Sequence, residues 1–296
     1  MIMGKLKTGM IIAMKTRGYA DKTIKLYTAS VRAMAVYFNK TPLVVSKQEI
    51  EDYIYHLRTE KKSEATIRIY FEAIKFFFRL HGLSERLPKL RFTHRKTKLP
   101  IVLSQSETCA LLGSCPSLKY KTALSVIYSA GLRVSEAANL RLQDIDFDRK
   151  LIIVRNGKNG KDRYTLLANE TSALLRRYFG VYHPQEYVFY GKDVFSRISV
   201  DCIQRHFKKL IRDNGMDESL HVHTLRHCFA THLLENGTSI FHIMNLLGHT
   251  NIQTTMVYLH MESPENLHIQ SPIDCFHFHS AKAANGAQQS LFKEIA

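Results

Sequence analysis

His223-Thr-Leu-Arg-His-Cys-Phe-Ala-Thr-His-Leu-Leu-Glu-Asn-Gly237 is the stretch from which the rest of the chain can be read. Its spacing predicts a helix over 223–235, with Asn236-Gly237 as the stop. His223 and Arg226 stand three residues apart and share one face of it; His227 follows four after His223. Outward on the C-terminal side, the pattern predicts helices over 238–247 and 251–260. Gly248-His249 falls between them and Tyr258 lies on the second. On the N-terminal side, Gly131-Leu-Arg-Val-Ser-Glu136 sets Arg133 after a glycine turn at a helix start. Glu136 is one turn on, able to hold the guanidinium. Leu151–Arg155 and Arg163–Leu167 flank Asn156–Asp162, a hairpin signal with Lys158 and Lys161 on its turn. Further helices are expected over 118–130, 134–141, 171–179 and 199–213.

The first part of the chain reads differently, as a small all-helical bundle. Asp21 can cap a segment whose apolar positions Ile24, Tyr27, Val31, Met34 and Phe38 recur at three- and four-residue steps. Ser46 and Glu49 form a capping-box pair ahead of Ile50, Tyr53, Ile54 and Leu57. Ser63 opens a third helix through Phe78, closed at Gly82, and a shorter one runs around Met10–Met14. Periodicity then fails from Ser84 to Pro100, where Arg86, Lys89, Arg91, Arg95, Lys96 and Lys98 crowd together as an extended basic linker. Ser104 and Glu107 make another capping box and start a larger domain. The fold class is α+β, mainly α: a helical bundle at 1–85, a linker at 86–101, a mainly helical domain with a small antiparallel sheet at 102–270, and a tail at 271–296.

Composition bounds the function. A length of 296 residues suits about two domains, and 45% hydrophobic with 23% charged residues is ordinary globular material. No run of about 18 apolar residues offers a membrane span, and the start lacks the features of a secretory signal. Five scattered cysteines without a C-x-x-C pair are no disulfide framework and fit a reducing cytoplasm. Residues 1–98 hold 21 basic against 8 acidic side chains, net +13 of the total +16. Basic charge gathered in one part is the electrostatic mark of a polyanion binder.

Taken singly, each reactive feature has an ordinary explanation: a surface salt bridge, a solvated turn lysine, a packed tyrosine. Other reaction classes fail at particular residues. His223 and His227 have zinc-pair spacing, but Thr224 stands where a zincin needs its glutamate. Asp144, Asp146 and Asp148 imitate a calcium loop, yet Arg149 and Arg155 replace its glycine and its bidentate glutamate. Gly160-Lys161 is followed by Asp162, so there is no P-loop, and no G-x-S-x-G elbow occurs. Cys275, His277 and His279 in the tail are too few for a zinc site. What remains suits phosphodiester chemistry without metal or other cofactor. Arginines can grip nonbridging oxygens, a lysine or histidine can move protons, and a tyrosine hydroxyl can attack phosphorus.

Three stretches in order, Tyr128-Ser-Ala-Gly-Leu-Arg-Val-Ser-Glu136, His223 to Gly237, and Leu247-Gly-His-Thr-Asn-Ile-Gln-Thr-Thr-Met-Val-Tyr258, resemble the signature boxes of the tyrosine recombinases, the phage-integrase family. The resemblance implies that Arg133 and Arg226 clamp the scissile phosphate and that Tyr258 attacks it. A 3′-phosphotyrosyl bond would form and a 5′-hydroxyl would leave. It implies Lys158 as general acid, with Lys161 the alternative because the turn's glycine has moved one place. His223 would assist proton transfer and His249 would bond the phosphate; Glu136 would buttress Arg133, and His227 would support from behind. It also implies a helical core-binding domain of SAM-like type that closes on duplex DNA, with the basic linker along the backbone. Partners would be specific recombination sites, a homo-tetramer on two of them, and room for accessory DNA-bending proteins, with no membrane. Leu291–Ile295 would pass to a neighbouring protomer. The expected activity is site-specific recombination without ATP or metal. Its rivals are type IB topoisomerase-like relaxation and a catalytically idle DNA-binding protein.

Overall fold

The computed structural model describes residues 2–92, 100–155 and 162–259, and the chain divides into two compact units, 1–98 and 99–296. Lys158, Lys161, Arg95, Lys96, Lys98 and the tail segments named above lie outside the described residues. Among the described residues no helix is long and apolar enough to cross a membrane.

Four helices build the first unit: α1 (Ile2–Thr16), α2 (Asp21–Tyr37), α3 (Lys47–Thr59) and α4 (Glu64–Leu80). The α3 capping box forms as its sequence requires, with Glu49 N donating to Ser46 Oγ and Ser46 N to Glu49 Oε2 at 3.2 and 2.9 Å. Two expectations need correction. Helix α1 (Ile2–Thr16) is far longer than Met10–Met14, and Leu6, one turn before Met10, also packs against the bundle core. Asp21 is the first helical residue of α2, not its cap; there its charge faces the positive helix end without a capping bond. Met14, Met34, Ile50, Ile67, Ile74 and Phe78 fill the core, each essentially without exposure. The basic stretch after α4 is held to its own unit over its described part. Ser84–Arg86 is a 3-10 turn, and Arg86 Nη1 donates to Leu43 O at 2.9 Å. Phe92 lies against Phe71 with the guanidiniums of Arg58 and Arg68 near its ring. Lys89 and Arg91 remain exposed.

The second unit is mainly helical: α5 (Gln105–Gly113), α6 (Leu118–Ser129), α7 (Val134–Ala138), α8 (Asn169–Tyr182), α9 (Val200–Asp213), α10 (Val222–Glu235), α11 (Ile240–Leu247) and α12 (Gln253–Met256). Helix α6 runs through its middle and touches α5, α8, α9 and α10, so Leu124, Val126 and Ile127 are buried on several sides. The hairpin β2 (Leu151–Val154) and β3 (Arg163–Leu166) pairs antiparallel, Val154 opposite Arg163. A strand the alternation did not signal, β1 (Ile145–Asp146), adds to its edge in the order β1-β2-β3. The same region imitated a calcium loop in sequence. Asp144 is instead buried and accepts from Arg155 Nε at 2.6 Å and Arg141 N at 3.2 Å.

Helix α7 stops at Ala138, short of the expected 141, and α12 covers Gln253–Met256, where 251–260 was expected. Tyr258 therefore sits just past a helix. Its N–H reaches Thr255 O at 3.0 Å, a three-residue closure. Thr254, Thr255 and Val257 are β-branched and hold a helix poorly.

One glycine decides how α6, α7 and α10 meet. Gly131 has φ +60°, and a Cβ there would stand 2.3 Å from Phe229 Cδ1. Gly131→Ala should destabilise the protein by about 2–4 kcal/mol, from left-handed strain plus overpacking. Urea unfolding checks this, and a midpoint equal to wild type would contradict the packing described.

Candidate active site

The C-terminal end of α6, the start of α7, the end of the hairpin and helices α10–α12 converge on one carboxylate. After the Gly131 turn, Arg133 takes an extended conformation and caps α7, its N–H donating to Glu136 Oε2 at 2.7 Å. Arg133 Nη1 donates to Glu136 Oε1 at 2.7 Å. Arg163, the first residue of β3, grips both carboxylate oxygens, at 2.9 and 2.8 Å. The guanidinium of Arg226 approaches Oε2 at 3.6 Å. The Glu136 side chain is 8% exposed. Burial alone would raise its pKa, but the bonds from Arg163 and Arg133 outweigh that and hold it at about 2.

Arg226 is 1% exposed in the middle of α10, so its donors need fixed partners. Nη1 donates to Gly131 O at 2.5 Å and Nη2 to Leu247 O at 2.6 Å. Each is the last carbonyl or turn carbonyl of a neighbouring element, where a cation is favoured. Burial, then Arg133, lowers its pKa to about 9, and it stays charged at neutral pH. Nη2 also lies 3.3 Å from His249 Nε2. A guanidinium only donates, so Nε2 accepts, and the ring proton sits on Nδ1, 2.8 Å from Thr255 Oγ1. Gly248, with φ +64°, ends α11 and turns His249 back toward α10.

Tyr258 is 3% exposed, and its hydroxyl stands 3.0 Å from His227 Nδ1. His223 lies edge-on to His227, ring centroids 4.7 Å apart, and keeps a solvent-facing edge. Burial is the first cause that lowers all three histidines, His223, His227 and His249, to about 4; nearby cations add to it. They are neutral at pH 7. Burial raises the Tyr258 phenol, while Arg226 and Arg133 pull it down.

The structure thus brings together Arg133, Glu136, His223, Arg226, His227, His249 and Tyr258, residues drawn from across more than 120 positions of sequence. It places His227, not His223, against the tyrosine hydroxyl. Two members carried no sequence signal as site residues: Arg163, which reads only as the first residue of a strand, and Thr255, one of several threonines before Tyr258. Position after the lysine turn was the single hint for Arg163.

The histidines give the protein a pH signature. A histidine whose folded pKa is lowered leaves the unfolded chain the better proton acceptor, so its contribution to stability is complete above about pH 6.5 and lost as pH falls toward 4. The urea midpoint should fall steadily across that window, and His227→Gln and His249→Gln should each flatten the fall. A wild-type midpoint constant from pH 7 to about pH 4 would contradict the burial of these rings.

Comparison with known proteins agrees with the geometry. Residues 101–264 match the phage integrase family and residues 6–88 its N-terminal SAM-like domain. A tyrosine recombinase of Thermosipho africanus is 33% identical over 263 residues, 84% of this chain and 92% of that protein. The tyrosine recombinase XerA of Saccharolobus solfataricus is 31% identical over 270 residues, 87% and 89% of the two chains. A crystal structure of XerA recombinase superposes with a TM-score of 0.52 at 27% identity, covering 90% of this chain and 96% of that one. A lambda integrase dimer bound to a core site shares the fold at 17% identity, with a TM-score of 0.70 over 85% of this chain and 96% of that one. With two family domains matched in order and relatives aligned over most of its length, this chain is a member of the phage integrase family, a tyrosine recombinase.

Proposed function

We propose that this recombinase cuts and rejoins duplex DNA at specific sites through a covalent bond between Tyr258 and the 3′ phosphate. The observation that carries the reading is the Tyr258 hydroxyl against a neutral histidine, next to a cluster of guanidiniums gathered by Glu136, all within one chain. Arg133 and Arg226 take the nonbridging oxygens as charge builds on phosphorus. His227 Nδ1 accepts the phenolic proton as the oxygen attacks, and His223, beside it, passes the proton outward. His249, whose Nε2 accepts from Arg226 in the free protein, donates to the same phosphate once its ring proton moves to Nε2 and Thr255 Oγ1 donates to Nδ1 instead. The bond from phosphorus to the 5′ oxygen breaks, and Lys158 protonates the leaving oxygen, with Lys161 as the alternative donor. Rejoining reverses these transfers, since the phosphotyrosine keeps the energy of the broken ester. Neither ATP nor metal enters the scheme.

The assignment of regions follows. Residues 1–85 act as the core-binding domain, 86–101 as the linker along the backbone, and 102–270 as the catalytic domain. The tail from 271 reaches a neighbouring protomer in a tetramer on two sites, with accessory DNA-bending proteins as further partners. The work is done in the cytoplasm. Both units have surfaces for DNA. The net +13 belongs to the first. In the second, α9 turns Arg205, Lys208, Lys209 and Arg212 outward at helical spacing, along a trough that ends at His221.

The test is a nicked suicide substrate carrying the site mapped by footprinting. Wild type should accumulate a covalent adduct in excess EDTA. Tyr258→Phe should bind the site and form none. Lys158→Ala should slow cleavage by about a hundredfold or more. A 5′-bridging sulfur, which leaves without a proton, should restore Lys158→Ala and not Tyr258→Phe. Rescue of Lys161→Ala instead would move the acid to Lys161. Adduct formation by Tyr258→Phe, or loss of cleavage with chelator, would overturn the mechanism. Relaxation of plasmids lacking any site would favour a topoisomerase-like activity.

A further inference from the structure

Arg163 has a place in the site that the proposed chemistry leaves unused. Its guanidinium is bidentate on Glu136, at 2.9 and 2.8 Å, and its Nε donates to Leu246 O at 2.8 Å. The side chain is 9% exposed, so it has no room to take a phosphate oxygen itself. Its aliphatic part crosses Gly248: a Cβ on that glycine would come within 2.7 Å of Arg163 Cδ. The arginine therefore ties three pieces of the centre together. These are the strand that leaves the lysine turn, the carboxylate under Arg133 and Arg226, and the end of α11 that aims His249.

We infer that Arg163 is a positioning residue for strand cleavage, one that occupies Glu136 so that Arg133 and Arg226 keep their charge for the scissile phosphate. The inference rests on the reading of the site given under Proposed function. Three guanidiniums around one carboxylate leave a net charge of +2. A phosphodiester carries one negative charge, and its five-coordinate transition state approaches two. Remove Arg163 and the cluster drops to +1. Both lone pairs freed on Glu136 then draw on Arg133 at 2.7 Å and on Arg226 at 3.6 Å, away from the substrate. The loss falls on transition-state charge, not on DNA affinity, which comes from backbone contacts spread over both units.

The charge dependence separates this role from mere support of the fold. A methylphosphonate at the scissile position replaces one nonbridging oxygen by a methyl group and removes one negative charge, while the tyrosine and leaving oxygen stay the same. The experiment measures adduct formation by the full-length protein on suicide substrates with phosphate or methylphosphonate, for wild type, Arg163→Gln, Arg163→Lys and Tyr258→Phe. Arg163→Gln should lose about thirtyfold or more on phosphate, yet stay within roughly threefold of wild type on methylphosphonate. Arg163→Lys, which keeps a charge but not the fork, should lie between.

Equal loss on both substrates, or no loss on either, would overturn the inference. Thermal unfolding and site binding show whether each variant is folded. If Arg163→Gln is not, the ratio is read from Arg163→Lys. If neither folds, Arg163 is a residue of the fold and the inference fails. A wild-type protein that forms no adduct through Tyr258 would instead bring down the reading of the site, and this inference with it.

Discussion

The structure of the centre depends on a single buried carboxylate. Glu136 collects guanidiniums from the start of α7, the start of β3 and the middle of α10, segments whose apolar sides already share one core. Like charges at such distances repel, and each costs several kcal/mol to bury unpaired, so the arrangement stands only with the carboxylate among them. The same constraint explains the neighbouring backbone. Arg226 needs acceptors, and it finds them in the Gly131 turn and at the end of α11, which fixes where those elements stop.

Positive charge held in this way also sets the state of the histidines. His223, His227 and His249 stand near Arg226, and burial with that charge keeps all three neutral. A neutral ring can accept a proton, which a tyrosine nucleophile requires, and cannot do so once protonated. The arginines that would steady a phosphate also act on the phenol, drawing Tyr258 toward its ionised form against the burial that raises it. Arg226 also fixes the His249 tautomer, leaving the ring proton on Nδ1 beside Thr255 Oγ1.

Periodicity and capping made most helices readable, because an amphipathic stripe and a side-chain cap are local properties. Ser46–Glu49 and Ser104–Glu107 form the boxes their spacing demands. The three family boxes named the residues of the centre for the same reason, since each is short and contiguous. Arg163 escaped because its meaning is tertiary: nothing in Arg-Tyr-Thr-Leu says that a strand residue turns across Gly248 to a carboxylate 27 positions earlier. Strand β1 escaped because two residues are too few for alternation to show. The end of α12 departs from its pattern because β-branched Thr254, Thr255 and Val257 hold a helix poorly, which a count of apolar positions does not register. The bond between Tyr258 and His227 was open to neither pattern nor box, for both histidines share the helix and only packing selects between them.

The most direct test changes the carboxylate itself and nothing else. Glu136→Gln keeps the shape and some hydrogen bonds but removes the charge that gathers the arginines. Adduct formation on a suicide substrate, measured beside affinity for the same site, gives the answer. Retained affinity is expected, with adduct formation down by about a hundredfold or more, since preorganised charge stabilises such a transition state more than any other single effect. A Glu136→Gln protein that cleaves at the wild-type rate would show that the arginines need no carboxylate to hold them, and the central claim would be wrong.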